Sequence, residues 1–192
     1  MHLILPKTRP DVKDIRAPLF FLAGPIQGGG DWHVRMTELL EKKFEDCIIV
    51  NPSRYDETHP LYRYRLDGQE DYFPHQTAWE RYYMRQAASQ SHGHGSGCLI
   101  FWLPVESDEN PRADGKPYAM DTRGEIGEWR GHMAYRAPNG LRPRVVMGGE
   151  SDFPSMRTIK RNNEDAIGAE LPMHETMEEV VLAAVDRTYS RP

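Results

Sequence analysis

Four short apolar runs, at residues 19–23, 47–50, 98–103 and 145–147, constrain the fold of this chain more than any other feature. Each is nearly continuous and does not alternate between apolar and polar. A strand with that pattern is buried on both faces, as in a parallel sheet. Helical periodicity fills the segments between the runs. Asp31 stands where it would cap a helix carrying Met36, Leu39, Leu40 and Phe44. A second helix is expected from about His75 to Ala88, with Thr77 and Glu80 at capping-box spacing. A third begins near Thr122 and carries Ile126, Trp129 and Met133. A last one, from about Glu175 to Arg187, puts Met177, Val181, Ala184 and Val185 on one face.

This alternation predicts an α/β fold: a doubly wound, mainly parallel sheet of four to five strands in flavodoxin-like order, with helices on both faces. The 192 residues suffice for one hydrophobic core, so 1–192 reads as a single domain. Residues 1–17 are an N-terminal extension in which His2 to Leu5 either add an edge strand or fray, and 172–192 hold the C-terminal helix. One further short strand is expected between Ile159 and Leu171. Two connections, 53–73 and 104–121, are longer than plain linkers, which points to function or mobility. Residues 89–97 read as a flexible turn.

The net charge of −5 supplies no basic face, so nucleic acid is not an expected partner. No apolar run approaches membrane-spanning length, and the N-terminus lacks the apolar core of a signal peptide. Cys47 and Cys98 both sit in apolar runs, which predicts buried, reduced thiols and a cytoplasmic address. His92 and His94 have no cysteine or carboxylate at ligand spacing beside them, so they read as a solvated loop and no metal is expected.

Every main strand ends in a break: Gly24-Pro25-Ile26-Gln27-Gly28-Gly29-Gly30, Asn51-Pro52, Pro104, and Gly148-Gly149. In a doubly wound sheet these carboxyl ends are where ligands bind. The glycine cluster reads either as a tight turn or as backbone N–H groups meeting a sugar hydroxyl or phosphate. The third helix opens with Asp121-Thr122-Arg123-Gly124-Glu125-Ile126-Gly127-Glu128. Glu125 has two readings. It pairs with Thr122 in a capping box, or it faces the cleft as a carboxylate kept ionised by the helix dipole, with Gly124 and Gly127 leaving room for a ligand. Tyr62, Tyr64 and Tyr72, with Arg63 and Arg65, either close over a base or form a polar surface loop. Trp79 and Trp129 read as core or interface, and Glu80 and Glu128 as capping or surface groups.

Five segments together resemble the nucleoside 2-deoxyribosyltransferase family and its nucleotide N-glycosidase relatives. They are Phe20-Phe21-Leu22-Ala23-Gly24-Pro25-Ile26 with Trp32, Val50-Asn51-Pro52, Gln76-Thr77-Ala78-Trp79-Glu80, Leu99-Ile100-Phe101-Trp102-Leu103-Pro104, and Thr122-Arg123-Gly124-Glu125-Ile126-Gly127. They occur in the family's order and at similar spacing. The resemblance implies an enzyme that cleaves the N-glycosidic bond of a nucleoside through a glycosyl ester on Glu125. The deoxyribosyl group then passes to another nucleobase. It implies Gln76 in the pocket, and Gly24, Pro25, Ile26 and Gln27 in the loop bordering base and sugar. Asn51 and Gly124 join this substrate-binding set. No cofactor is implied. The implied partners are a nucleoside or nucleotide, a free nucleobase, and further copies of the chain in a homo-oligomer with shared active sites, where Asp152, Phe153 and Met156 could meet a neighbour.

Family members carry an Ala-Asp pair just before the third strand, whose Asp helps handle the base. Here Ser96-Gly97 stands in its place. Asp121 is the candidate to protonate or orient the base, with an ordinary cap or loop role as the alternative. Two other functions stand beside transfer: hydrolysis of nucleosides or nucleoside 5′-monophosphates, and non-catalytic nucleotide sensing on the same fold.

Overall fold

The computed structural model describes residues 1–12, 15–89, 97–139 and 144–189. His92, His94 and Ser96 lie outside the described residues.

The apolar runs form β2 (Leu19–Ala23), β3 (Ile48–Val50), β4 (Cys98–Leu103) and β5 (Val145–Gly149), every residue of which is buried. Two short strands complete the sheet, β1 (His2–Ile4) and β6 (Met173–His174). All six pair in parallel, in the order β1-β3-β2-β4-β5-β6. Without β1 this is the flavodoxin-like order, and β1 extends it at one edge. Six strands replace the expected four to five.

The expected strand between Ile159 and Leu171 is a helix, α4 (Met156–Ile167). Ile159, Asn163 and Ile167 recur at helical spacing, and Ile159 and Ile167 pack on the core. Gly168, in the left-handed region at φ 65°, then ends the helix and donates to Glu164 O at 2.9 Å. The sixth strand follows Leu171 and has only two residues, too few for any periodicity.

The remaining helices are α1 (Trp32–Lys43), α2 (Gln76–Ala88), α3 (Met120–Arg136) and α5 (Met177–Tyr189). Adjacent strand residues point to opposite faces. Phe21, Ala23, Val50, Leu99 and Phe101 meet Trp79 and Tyr83 of α2, Ile126 and Trp129 of α3, and Ile159 of α4. Phe20, Leu22, Ile49, Ile100 and Trp102 meet Trp32, Met36 and Leu40 of α1 and Val180, Val181 and Ala184 of α5. Helices therefore cover both faces. Cys47 and Cys98 are buried free thiols, pushed up to about 12 chiefly by loss of solvent. Among the described residues, no helix is long and apolar enough to cross a membrane.

β2 leads through α1 to β3 on one side, and the chain then crosses through α2 to β4 on the other. The crevice between these crossovers opens at the carboxyl ends of β2, β3 and β4, where an α/β sheet leaves room for a ligand.

Candidate active site

A cleft of about 1000 Å³ occupies that crevice. Its floor is the end of β2, with Gly24, Pro25, Ile26 and Gln27. One wall is Pro52, Ser53, Arg54 and Tyr55 after β3, continued by Gln76, Glu80 and Arg81 on α2. The opposite wall is the first turns of α3, with Asp121, Gly124, Glu125 and Glu128. Arg112, Asp114 and Lys116 from the loop after β4 close the rim.

The floor loop is rigidly built. Trp32 Nε1 donates to Pro25 O at 2.9 Å. A Cβ on Gly24 would stand 2.3 Å from Trp102 O and 2.7 Å from Trp32 Cζ2, so only glycine fits there. Ser107 N donates to Gly28 O at 2.7 Å and ties the floor loop to the loop after β4.

Glu125 is not a cap. α3 starts at Met120, two residues before the expected position, and its N-cap Ala119 makes no side-chain hydrogen bond. Thr122 is buried inside the helix, and Glu125 lies in the second turn, past the free N–H groups that would feel the dipole most. Its half-buried carboxyl makes no hydrogen bond or ion pair among the described residues. Loss of solvent, then the fields of Glu80, Asp121 and Glu128, push Glu125 up to about 8, against a smaller opposing effect of Arg81.

Glu80 is the residue that spacing hid. His75 Nδ1, not Thr77, caps α2 by accepting from Ala78 N at 3.1 Å, so no Thr77–Glu80 box forms. Glu80 is half-buried in the cleft and accepts from Gln76 Nε2 at 2.9 Å. Burial, and the charge of Asp121 behind it, raise its pKa. Gln76 is a hub as well as a lining residue. Its Nε2 also donates to Pro52 O at 3.2 Å, and its Oε1 accepts from Arg54 Nε at 3.1 Å and Nη2 at 2.9 Å.

Asn51 stands apart from the other expected binding residues. It is fully buried and does not line the cleft. Its Oδ1 accepts from Ser53 N at 2.9 Å and its Nδ2 donates to Tyr55 Oη at 3.4 Å. It shapes the wall from behind, as an Asx turn does. Asp121 lies at the rim with its side chain 78% exposed, 3.6 Å from Arg112. Arg112 also holds Asp114 through Nε at 2.7 Å and Nη2 at 3.0 Å, which lowers Asp114 to about 2.

The tyrosine loop lies away from the cleft. Tyr62 and Tyr64 pack on the sheet face under α1 and α5, and Tyr72 lies against Phe73 beneath Arg9. Tyr55, which the sequence did not single out, lines the cleft and is stacked on His59 at 3.7 Å. His33 was also missed. It borders the cleft from α1, burial lowers it to about 3, and its Nε2 has no hydrogen-bond partner among the described residues. Trp79 and Trp129 are core, and Trp129 Nε1 lies 3.3 Å from Met84 Sδ between α3 and α2. Glu128 accepts from Arg81 Nε at 3.1 Å and clamps the same two helices.

Gly97 accounts for the missing acid. It precedes the first residue of β4, at the amino end of the sheet. Six strand residues, roughly 20 Å at about 3.3 Å each, separate it from the cleft. A Cβ there would stand 1.7 Å from Leu19 O. No carboxylate at this position could serve the cleft of this chain. Phe153, a candidate for a neighbour's pocket, is buried in its own chain against Tyr118, with Arg123 over its ring at 5.2 Å.

Among the described residues no cluster of His, Cys, Asp and Glu is arranged to hold a metal ion. No family model matches the chain, and no curated protein matches it.

Proposed function

We propose that this chain is a nucleoside 2-deoxyribosyltransferase, a pentosyltransferase in which Glu125 attacks C1′ of the deoxyribose. One observation carries the reading. Glu125 is a half-buried carboxyl in the cleft at the sheet's switch point, with no hydrogen-bond or ion-pair partner among the described residues and no capping duty. A carboxyl that does no structural work in a dehydrating site is a functional candidate. The C1′–N bond breaks as the C1′–Oε bond of Glu125 forms, and the bonding pair leaves with the base. A second nucleobase then attacks C1′ through a ring nitrogen and displaces Glu125. The Gly24–Gln27 floor receives base and sugar, Gln76 fixes the α2 wall, and Asp121 at the rim orients the base. Shared sites in a homo-oligomer would draw on exposed groups such as Asp152, since Phe153 is already used inside the chain.

A second reading keeps the same nucleophile with water as acceptor. Ser53 and Arg54 line the cleft and favour a nucleoside or its 5′-monophosphate as substrate. One assay separates the two. The protein is incubated with deoxyinosine and free adenine, and products are followed by chromatography. Deoxyadenosine is the expected product. Hypoxanthine and free sugar alone would replace transfer by hydrolysis. No turnover of deoxynucleosides, ribonucleosides or monophosphates would overturn the enzymatic reading in favour of nucleotide sensing.

A further inference from the structure

Trp32, Met36 and Leu40 pack α1 on the sheet, and His33 is buried beside them at a position where an apolar side chain would serve. The imidazole is 2% exposed. Neither ring nitrogen has a hydrogen-bond partner among the described residues, and Nε2 is sealed from solvent as well. A buried polar group left unpaired opposes folding, so its presence calls for a reason outside the fold. The ring is nevertheless held in place. It stacks on Trp32 with centroids 3.6 Å apart, and Trp32 is bonded to Pro25 O in the cleft floor.

His33 also borders the cleft. The lining beside it is Asp31 at the start of α1, and Ser53 and Tyr55 after β3, the strand to which α1 leads. The charges that act on Glu125 come from α2 and α3, whereas Asp31 acts on Tyr55. This end of the cleft therefore receives a part of the ligand away from C1′. Tyr55 Oη accepts from Asn51 Nδ2 at 3.4 Å, which leaves its own O–H to donate. Arg54 is directed to Gln76 Oε1 through Nε and Nη2. Burial alone acts on His33 and keeps the ring neutral, with one N–H donor and one acceptor. A neutral hydrogen-bonding group suits these surroundings, and a phosphate facing Asp31 does not.

We propose that His33 is a ligand-binding residue that sets specificity: its ring bonds a neutral group of the nucleoside that both donates and accepts, either the 5′-hydroxyl or the N1–H and C6=O edge of the base. This rests on the cleft as a nucleoside site. The proton and bond changes at C1′ ask nothing of His33, which selects the ligand that reaches Glu125.

The test measures equilibrium binding by calorimetry in Glu125→Gln, with and without His33→Leu. Deoxyinosine should bind roughly tenfold more weakly once His33 is replaced. The urea midpoint should stay or rise, because an unpaired polar group has been removed. Two analogues name the group: 2′,5′-dideoxyinosine lacks the 5′-hydroxyl, and 2′-deoxynebularine lacks the N1–H and C6=O of the base. One of them should bind roughly tenfold more weakly than deoxyinosine when His33 is present, and equally well with or without it. Three results would overturn the proposal: unchanged affinity for deoxyinosine, an equal loss for all three ligands, or a larger loss for deoxyinosine 5′-monophosphate than for deoxyinosine. His33→Met, with a more pliable side chain, is the second variant. Failure of both to fold would make the ring structural and overturn the proposal too. Transfer from deoxyinosine to adenine by the unaltered enzyme keeps the Glu125 reading in every one of these cases. Absence of both binding and transfer would overturn that reading, and this one with it.

Discussion

The indole N–H of Trp32 and the carbonyl of Pro25 meet at 2.9 Å beneath the cleft floor, and the ring of that same tryptophan occupies the space a side chain at position 24 would need. The first helix after β2 is thus bolted to the loop that β2 runs into. Gly24→Ala should destabilise the fold by about 1–3 kcal/mol through overpacking against Trp32 and Trp102 O. Trp32→Phe leaves Pro25 O without its buried donor and should cost about 1–3 kcal/mol. Urea unfolding of both variants checks this, and a midpoint unchanged in both would show that the floor loop is not fixed this way.

Glu125→Gln should abolish turnover while leaving the fold intact, because the carboxyl makes no hydrogen bond or ion pair among the described residues. Its effect on stability depends on pH, with a defined sign. The unfolded chain releases this proton near 4.5 and the folded chain near 8. Between those values the folded state holds a proton that the unfolded state lacks, so stability falls as pH rises, by up to about 1.4 kcal/mol per pH unit. The raised pKa of Glu80 adds a change of the same sign. The variant should therefore lose less stability than the unaltered protein between pH 5 and pH 8. Denaturant titrations at the two pH values measure the difference, and parallel losses would refute it.

Arg81 opposes the proton held on Glu125 and also bonds Glu128 across the gap between α2 and α3. Arg81 is largely exposed and Glu128 keeps 30% of its side chain in solvent, so Arg81→Ala should change stability by less than about 1 kcal/mol. The kcat/KM profile should instead move to higher pH, since Glu80, Asp121 and Glu128 then act on Glu125 with less opposition. A profile that stays in place, or moves to lower pH, would count against Arg81 acting on Glu125.

Gly97→Asp restores the acid that the resemblance leads one to expect, and it should fail. Its Cβ would overlap the Leu19 carbonyl, and the carbonyl of residue 97 is already engaged by Arg144 Nη1 at 3.0 Å. A loss of more than about 3 kcal/mol, or no soluble protein, is expected. A stable variant with altered base preference would show that position 97 does communicate with the cleft.

The buried strands were legible because a residue covered on both faces must be apolar at every position, and β2, β3, β4 and β5 are. β6 was not, because two residues carry no period. Helix starts were read from polar spacing, and that signal misled twice. Thr77 and Glu80 looked like a cap because the competing acceptor, His75 Nδ1, is not a residue type that spacing rules favour. Thr122 and Glu125 looked like one because the left-handed Ala119 that starts α3 has no polar signature. Asn51 sits beside the cleft in sequence, yet its amide turns inward to hold Ser53 and Tyr55. Arg112 and Lys116 reach the rim from a long loop whose path no local pattern specifies.

The buried thiols have a practical consequence. With Cys47 and Cys98 sealed in the core and their ionisation suppressed, neither should react with alkylating reagents while the protein stays folded. A Met120→Cys substitution at the exposed lip of the cleft would then be the only labelling position among the described residues. A fluorophore attached there would report occupancy of the site in the otherwise native sequence, with no background cysteines to remove.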